Sequence, residues 1–118
     1  PMVGTGLWGP IWGYVSVLGD FKTVYGATFD HKGETPGLGA EIKEAGFQND
    51  FQGKTLNLAS ANNEYFIIQK PGGAPADYKV DGITGGTITS KGVEEMINRT
   101  MDIYLGYFNS SNNTSQLK

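Results

Sequence analysis

The segment Asp81-Gly82-Ile83-Thr84-Gly85-Gly86-Thr87-Ile88-Thr89-Ser90 constrains this chain more than any other stretch. It is a run of Gly, Thr, Ser and Ile set between one acid and a helical pattern. Its glycines permit positive φ and close backbone approach to a ligand. Its hydroxyls lie just before a helix start, where unpaired N–H groups favour an anion such as phosphate. The segment lacks the Lys of a Walker loop and the spacing of a dinucleotide fingerprint. Spacing alone therefore names no ligand.

The rest of the chain supplies one domain around that loop. A length of 118 residues fits a single domain able to bury a real core. With no Cys, disulfides, iron–sulfur clusters and thiol nucleophiles are excluded. A net charge of −3 with a single Arg, Arg99, argues against nucleic acid as a partner. No apolar run approaches the ~20 residues needed to cross a membrane. The last residues, 109–118, are polar and low in complexity and are expected to be a disordered tail, leaving 1–108 as the domain.

Residues Ile11 to Leu18 and Lys22 to Asp30 are rich in aromatic and β-branched types and flank Gly19-Asp20, which predicts a β-hairpin. Tyr14, Ser16 and Leu18 would share one face and Val15 and Val17 the other. Trp12 is expected in packing. Leu38, Ile42 and Ala45 suit a short helix ending at Gly46, with Phe47 and Phe51 on a further turn and Gly53 as a stop. Tyr65–Gln69 and Tyr78–Val80 read as short strands either side of the Pro71-Gly72-Gly73 turn. Thr89 or Ser90 would cap a long helix whose face is Val93, Met96, Ile97, Tyr104 and Phe108. The expected fold class is α+β: a mainly antiparallel twisted sheet packed with one long C-terminal helix and a shorter helix.

Asp81-Gly82-Ile83-Thr84-Gly85-Gly86-Thr87 resembles the flavinylation motif of FMN-binding domains, with Gly86 where that family most often has Ala. Three further segments resemble the C subunits of Na+-translocating NADH:quinone reductases, in the same order. They are Gly4-Thr5-Gly6-Leu7-Trp8 with Gly13-Tyr14-Val15, Glu34-Thr35-Pro36-Gly37-Leu38-Gly39, and Pro71-Gly72-Gly73-Ala74-Pro75. The resemblance runs from about Gly4 to about Leu105.

The resemblance implies FMN joined through its phosphate to the hydroxyl of Thr87. Thr84, Gly85, Gly86, Thr89 and Ser90 would surround the linkage, with the amides of Thr89, Ser90 and Lys91 facing its charge. Glu34, Thr35, Leu38 and Gly39 would meet the ring, and Glu34 would bear on its potential. Trp8 would lie against the ring or in the core. His31 would border the flavin or serve as a satisfied hydrogen-bonder. The Gly72–Pro75 loop would close over the cofactor or form a tight turn. A Thr hydroxyl is a poor nucleophile by itself, and the family implies a flavin transferase that uses FAD and recognises Asp81, whose alternative role is a turn residue.

The same resemblance implies an electron carrier without catalysis of its own and without a metal site. It would sit on the periplasmic side of the bacterial inner membrane, tethered by an N-terminal helix that precedes this sequence, beside the other subunits of the reductase. The related G subunit of Rnf-type ferredoxin:NAD+ reductases shares the motif and is the alternative complex. A cofactor-free cell-surface binding module is the alternative of another class.

Overall fold

In the computed structural model, residues 1–116 are described, with side chains through Tyr107. Alternation builds the first sheet. Strand β2 (Pro10–Val17) pairs antiparallel with β3 (Val24–His31), Gly13 opposite Phe29 and Val15 opposite Ala27. Ile11, Gly13, Val15 and Val17 point to the core side, while Trp12, Tyr14 and Ser16 are exposed. The hairpin thus follows the predicted faces. Trp12 departs from expectation: it stands on the outer face, 37% exposed, because it is out of phase with Ile11 and Gly13. The turn is held by Asp20, whose carboxylate accepts from the amides of Lys22 and Thr23 and the Thr23 hydroxyl.

A third strand, β1 (Met2–Thr5), pairs antiparallel with β2, giving the order β1-β2-β3. No strand is expected there from the sequence. After β3 the expected short helix divides in two. A 3₁₀ turn spans Gly39–Lys43, Glu44 is extended, and helix α1 spans Ala45–Asn49. Gly46 therefore lies inside a helix rather than at its end. The break lets Ile42 and Phe47 both reach the core. Phe29, Phe47 and Phe51 form a triangle with ring centroids 5.1–5.7 Å apart, and Phe51 stacks on Phe66 at 5.1 Å.

Strands β4 (Ile67–Gln69) and β5 (Lys79–Asp81) form a separate parallel pair. The long helix α2 (Thr87–Gln116) crosses both sheets and supplies the core with Val93, Met96, Ile97 and Met101. Tyr104, expected on that buried face, is partly exposed, and the side chain of Phe108 lies outside the described residues. The stretch expected as a disordered tail, 109–118, falls in the last turns of α2 to residue 116, with side chains outside the described residues, as are Leu117 and Lys118 altogether. At Gly92 the helix touches β1 directly: a Cβ there would stand 2.2 Å from the Thr5 carbonyl oxygen.

Side chains of α2 also finish strand edges that would otherwise be open. Asn98 accepts from the Phe66 N–H at 2.9 Å and donates to the Phe66 carbonyl at 3.0 Å. Glu94 accepts from Ile68 N–H at 2.7 Å, and Lys91 donates to the Ile68 carbonyl at 2.8 Å. These residues sit on one helix face, about a turn apart, and act together as a substitute strand for β4. On the other sheet, Arg99 donates to the Val3 carbonyl.

Candidate functional site

Helix α2 begins at Thr87, earlier than the expected cap at Thr89 or Ser90. The Ser90 amide is already bonded to the Gly86 carbonyl at 2.9 Å, so Ser90 belongs to the first turn. The amides without an intrahelical acceptor are those of Thr87, Ile88 and Thr89. Ser90 and Lys91, expected to offer amides, do not. Neither Thr89 nor Ser90 caps. Ser90 Oγ accepts from the Ile83 amide at 2.9 Å and braces the loop before the helix. Thr89 is buried and donates its hydroxyl to Glu34.

Thr87 borders two depressions at this helix start: one shared with Pro71, Ile83, Ser90 and Lys91, and a groove with a volume of about 390 Å³. Gly85, Gly86, Thr87 and Thr89 form one side, and Glu34, Thr35, Leu38 and Gly39 another. Trp8 closes the third side. Nine of the expected site residues therefore meet in one place, although they come from three segments far apart in sequence. Leu7 and Ile88 line the groove as well and were not among the expected residues. Leu7 lies inside the first glycine-rich motif and Ile88 follows Thr87, so both were within reach of the sequence; their exposure, 50% and 59%, was not.

Thr87 stands exposed on the rim, and no hydrogen bond among the described residues uses its hydroxyl. Trp8 is 67% exposed, which excludes the core placement left open by the sequence. Leu38 is exposed beside Gly85, where a Cβ would meet its side chain at 2.7 Å. The groove thus has a mainly apolar lining with a few polar groups, and a volume within the ~300–1,000 Å³ usual for small-molecule sites.

Glu34 is only 4% exposed. Its carboxylate accepts from the Leu7 amide at 2.9 Å, the Trp8 amide at 2.8 Å and the Thr89 hydroxyl. Its own amide donates to His31 Nδ1 at 3.1 Å, which makes His31 a hydrogen-bonder. Burial pushes the Glu34 carboxyl upward, but the bonds from Thr89, Trp8 and Leu7 overcome this and hold it below its ordinary value. Space around it is tight: a Cβ on Gly39 would stand 2.5 Å from Thr89 Oγ1 and 3.1 Å from Glu34 Oε1.

Besides Ser90, which lines the neighbouring depression, three expected participants lie outside the groove. Thr84 is exposed and does not line the groove. Asp81, at the end of β5, accepts from Gln69 Nε2 at 3.1 Å and the Gly72 amide at 3.3 Å, so it ties down the Pro71–Gly73 turn. That turn does not cover the groove; Gly73 and Pro75 border a separate depression with Asp50 and Lys79. Among the described residues no group of His, Asp and Glu is arranged to hold a metal ion, and no helix is long and apolar enough to cross a membrane.

Comparison with known proteins bears on this groove directly. Residues 6–102 match the FMN-binding domain family. The C subunit of the Na(+)-translocating NADH-quinone reductase of Haemophilus ducreyi is 46% identical over 95 residues, covering 80% of this chain and 36% of that protein. The corresponding protein of Vibrio anguillarum is 41% identical over 108 residues, covering 90% of this chain and 40% of that one. A crystal structure of the same reductase's C subunit, from Parabacteroides distasonis, superposes with a TM-score of 0.79 at 49% identity, over 88% of this chain and 52% of that chain. The chain therefore spans well under two-thirds of the relatives it matches. The matched residues run from the Trp8 wall through the start of α2 and well into that helix, and the chain belongs to the FMN-binding domain family.

Proposed function

We propose that this chain is the FMN-carrying domain of the C subunit of a Na+-translocating NADH:quinone reductase, with FMN joined by a phosphodiester to Thr87. The observation that carries this reading is the position of Thr87. Its unengaged hydroxyl is exposed at the first residue of a long helix, on the rim of an apolar groove. The residues fit the group. The amides of Thr87, Ile88 and Thr89 and the positive end of the helix suit the single negative charge of a phosphodiester. Trp8, Leu38 and Ile88 offer apolar surface to a ring, with Thr35 and nearby backbone groups for its polar edge.

Bound there, FMN supplies a ring that takes up and passes on electrons. The protein's part is to hold it in place and set its surroundings. The linkage forms when Thr87 Oγ1 bonds to the phosphorus on the FMN side of FAD. The bridging P–O bond breaks, AMP leaves, and the hydroxyl proton passes to solvent. A flavin transferase supplies the FAD and the activation, because a Thr hydroxyl is a poor nucleophile by itself and no hydrogen bond among the described residues engages Thr87 Oγ1. Asp81 enters recognition through the Pro71–Gly73 turn that it ties down. The remaining subunits, a membrane tether outside this sequence and a periplasmic position complete the reading. The relatives, named as C subunits of this reductase, support this complex over an Rnf-type one.

The test is co-expression with a flavin transferase followed by a denaturing gel. Flavin fluorescence that stays with the band, and is lost in Thr87→Ala, is the expected result. Equal fluorescence in the variant would remove Thr87 from the role.

A further inference from the structure

The groove's Trp8 wall is carried by a loop, and the loop has one strong attachment at this point. Leu7 and Trp8 direct consecutive amides at the two oxygens of Glu34, at 2.9 and 2.8 Å. The same carboxylate takes the hydroxyl of Thr89 in the first turn of α2. Hydrogen bonds to an ionised acceptor are about twice as strong as neutral ones. The absence of a side chain at Gly6 makes room for this arrangement: a Cβ there would stand 2.4 Å from Glu34 Oε1. Glu34 thus faces inward, with its oxygens committed to the protein, while Trp8 is 67% exposed.

We propose that Glu34 is a positioning residue: its carboxylate latches the Leu7–Trp8 loop to the first turn of α2 and thereby fixes the Trp8 wall of the groove. The latch joins the residue that walls the groove to the helix turn that carries Thr87. It acts through Trp8, whose amide it holds, and through its charge at the groove wall. Glu34→Gln keeps the volume but puts an NH2 donor where a carboxylate oxygen now faces a backbone N–H. At least one of the two amides then loses its acceptor. Thr89→Val leaves the charge and both amide bonds in place and removes only the hydroxyl donor.

The latch exists without flavin; its effect on a flavin rests on the FMN reading above. The primary test therefore uses the protein made without transferase, in a Trp12→Phe background that leaves Trp8 as the one tryptophan. Amide exchange by NMR and Trp8 fluorescence anisotropy are measured in the parent, Glu34→Gln and Thr89→Val. In Glu34→Gln the Leu7 and Trp8 amides are expected to exchange about 10- to 100-fold faster, the range set by loss of a charged hydrogen bond. Trp8 anisotropy falls, and amides of β2, β3 and α2 keep their rates. Thr89→Val shows a smaller change at the same two amides. Unchanged Leu7 and Trp8 exchange in Glu34→Gln would overturn the latch. A uniform loss of protection across sheet and helix would also overturn it, since Glu34 would then hold the whole fold. In flavin-loaded protein, Glu34→Gln removes a negative charge beside the groove and is expected to move the flavin potential to more positive values. A latch seen in apo protein with no flavin acquired by the loaded sample would count against the FMN reading alone.

Discussion

Replacing Asn98 by Ala removes the helix side chain that stands in for a neighbouring strand at Phe66. Both backbone groups of Phe66 lose their partner at once: the N–H at 2.9 Å from Oδ1 and the carbonyl at 3.0 Å from Nδ2. A buried polar group left without a partner costs about 1–3 kcal/mol. Asn98 is half-buried, so water recovers part of this for one group. The expected destabilisation is about 2–4 kcal/mol, a large share of the ~5–15 kcal/mol that holds a domain together. It should lower the thermal midpoint by roughly 8–16 °C. Urea unfolding measures it, with an unchanged slope showing that the folded and unfolded ensembles are otherwise alike. Glu95→Ala is the control. Its only ion pair among the described residues is the exposed one with Arg99, at 2.7 Å one turn away, and such pairs contribute about 0.3–0.5 kcal/mol. An Asn98→Ala cost below about 1 kcal/mol would refute the substitute-strand account.

Three other perturbations follow from the packing and the turns. Phe51→Ala removes the ring shared by Phe29, Phe47 and Phe66 and should cost about 3–5 kcal/mol in chemical denaturation. Gly92→Ala puts a Cβ 2.2 Å from the Thr5 carbonyl, so β1 and α2 must separate; a loss of about 1–3 kcal/mol or more, with faster exchange in β1, is expected by calorimetry and NMR. Asp20 is held down to about 2, chiefly by the Thr23 hydroxyl and then by the amides of Thr23 and Lys22. Because its folded value lies below the unfolded 3.8, its contribution is present above that pH and lost as pH falls toward 2. Asp20→Asn should therefore flatten the acid limb of the stability curve between about pH 4 and 2.

Much of the architecture was legible because it obeys simple periods. The aromatic and β-branched runs flanking Gly19-Asp20 gave the hairpin, with Val15 and Val17 on one face and Tyr14 and Ser16 on the other, and Val93, Met96 and Ile97 gave the buried stripe of α2. β1 escaped notice because Met2–Thr5 is short, contains Gly, and stands as a strand only through its pairing with β2. The start of α2 was placed late because Thr87, Ile88 and Thr89 are β-branched, a poor local helix signal that tertiary packing of Thr89 on Glu34 overrides. Parallel pairing of β4 with β5 has no signature in strands this short, and its edge partners, Lys91, Glu94 and Asn98, look from sequence like an ordinary polar helix face.

The candidate site was legible by residue type and illegible by role. Trp8, Glu34, Leu38 and Thr87 were all marked, and all meet at one groove. Nothing in the order of residues says that Glu34 turns inward to two amides and a hydroxyl while Thr87 is left unengaged, since that depends on how the loop after β1 folds over the helix start.

The most direct test of the central claim is the intact mass of the protein made with and without an active flavin transferase. The account predicts a gain equal to one FMN less water, present only with the transferase and absent in Thr87→Ala. An unchanged mass in the presence of a transferase shown to modify another substrate, or the same gain in Thr87→Ala, would contradict it.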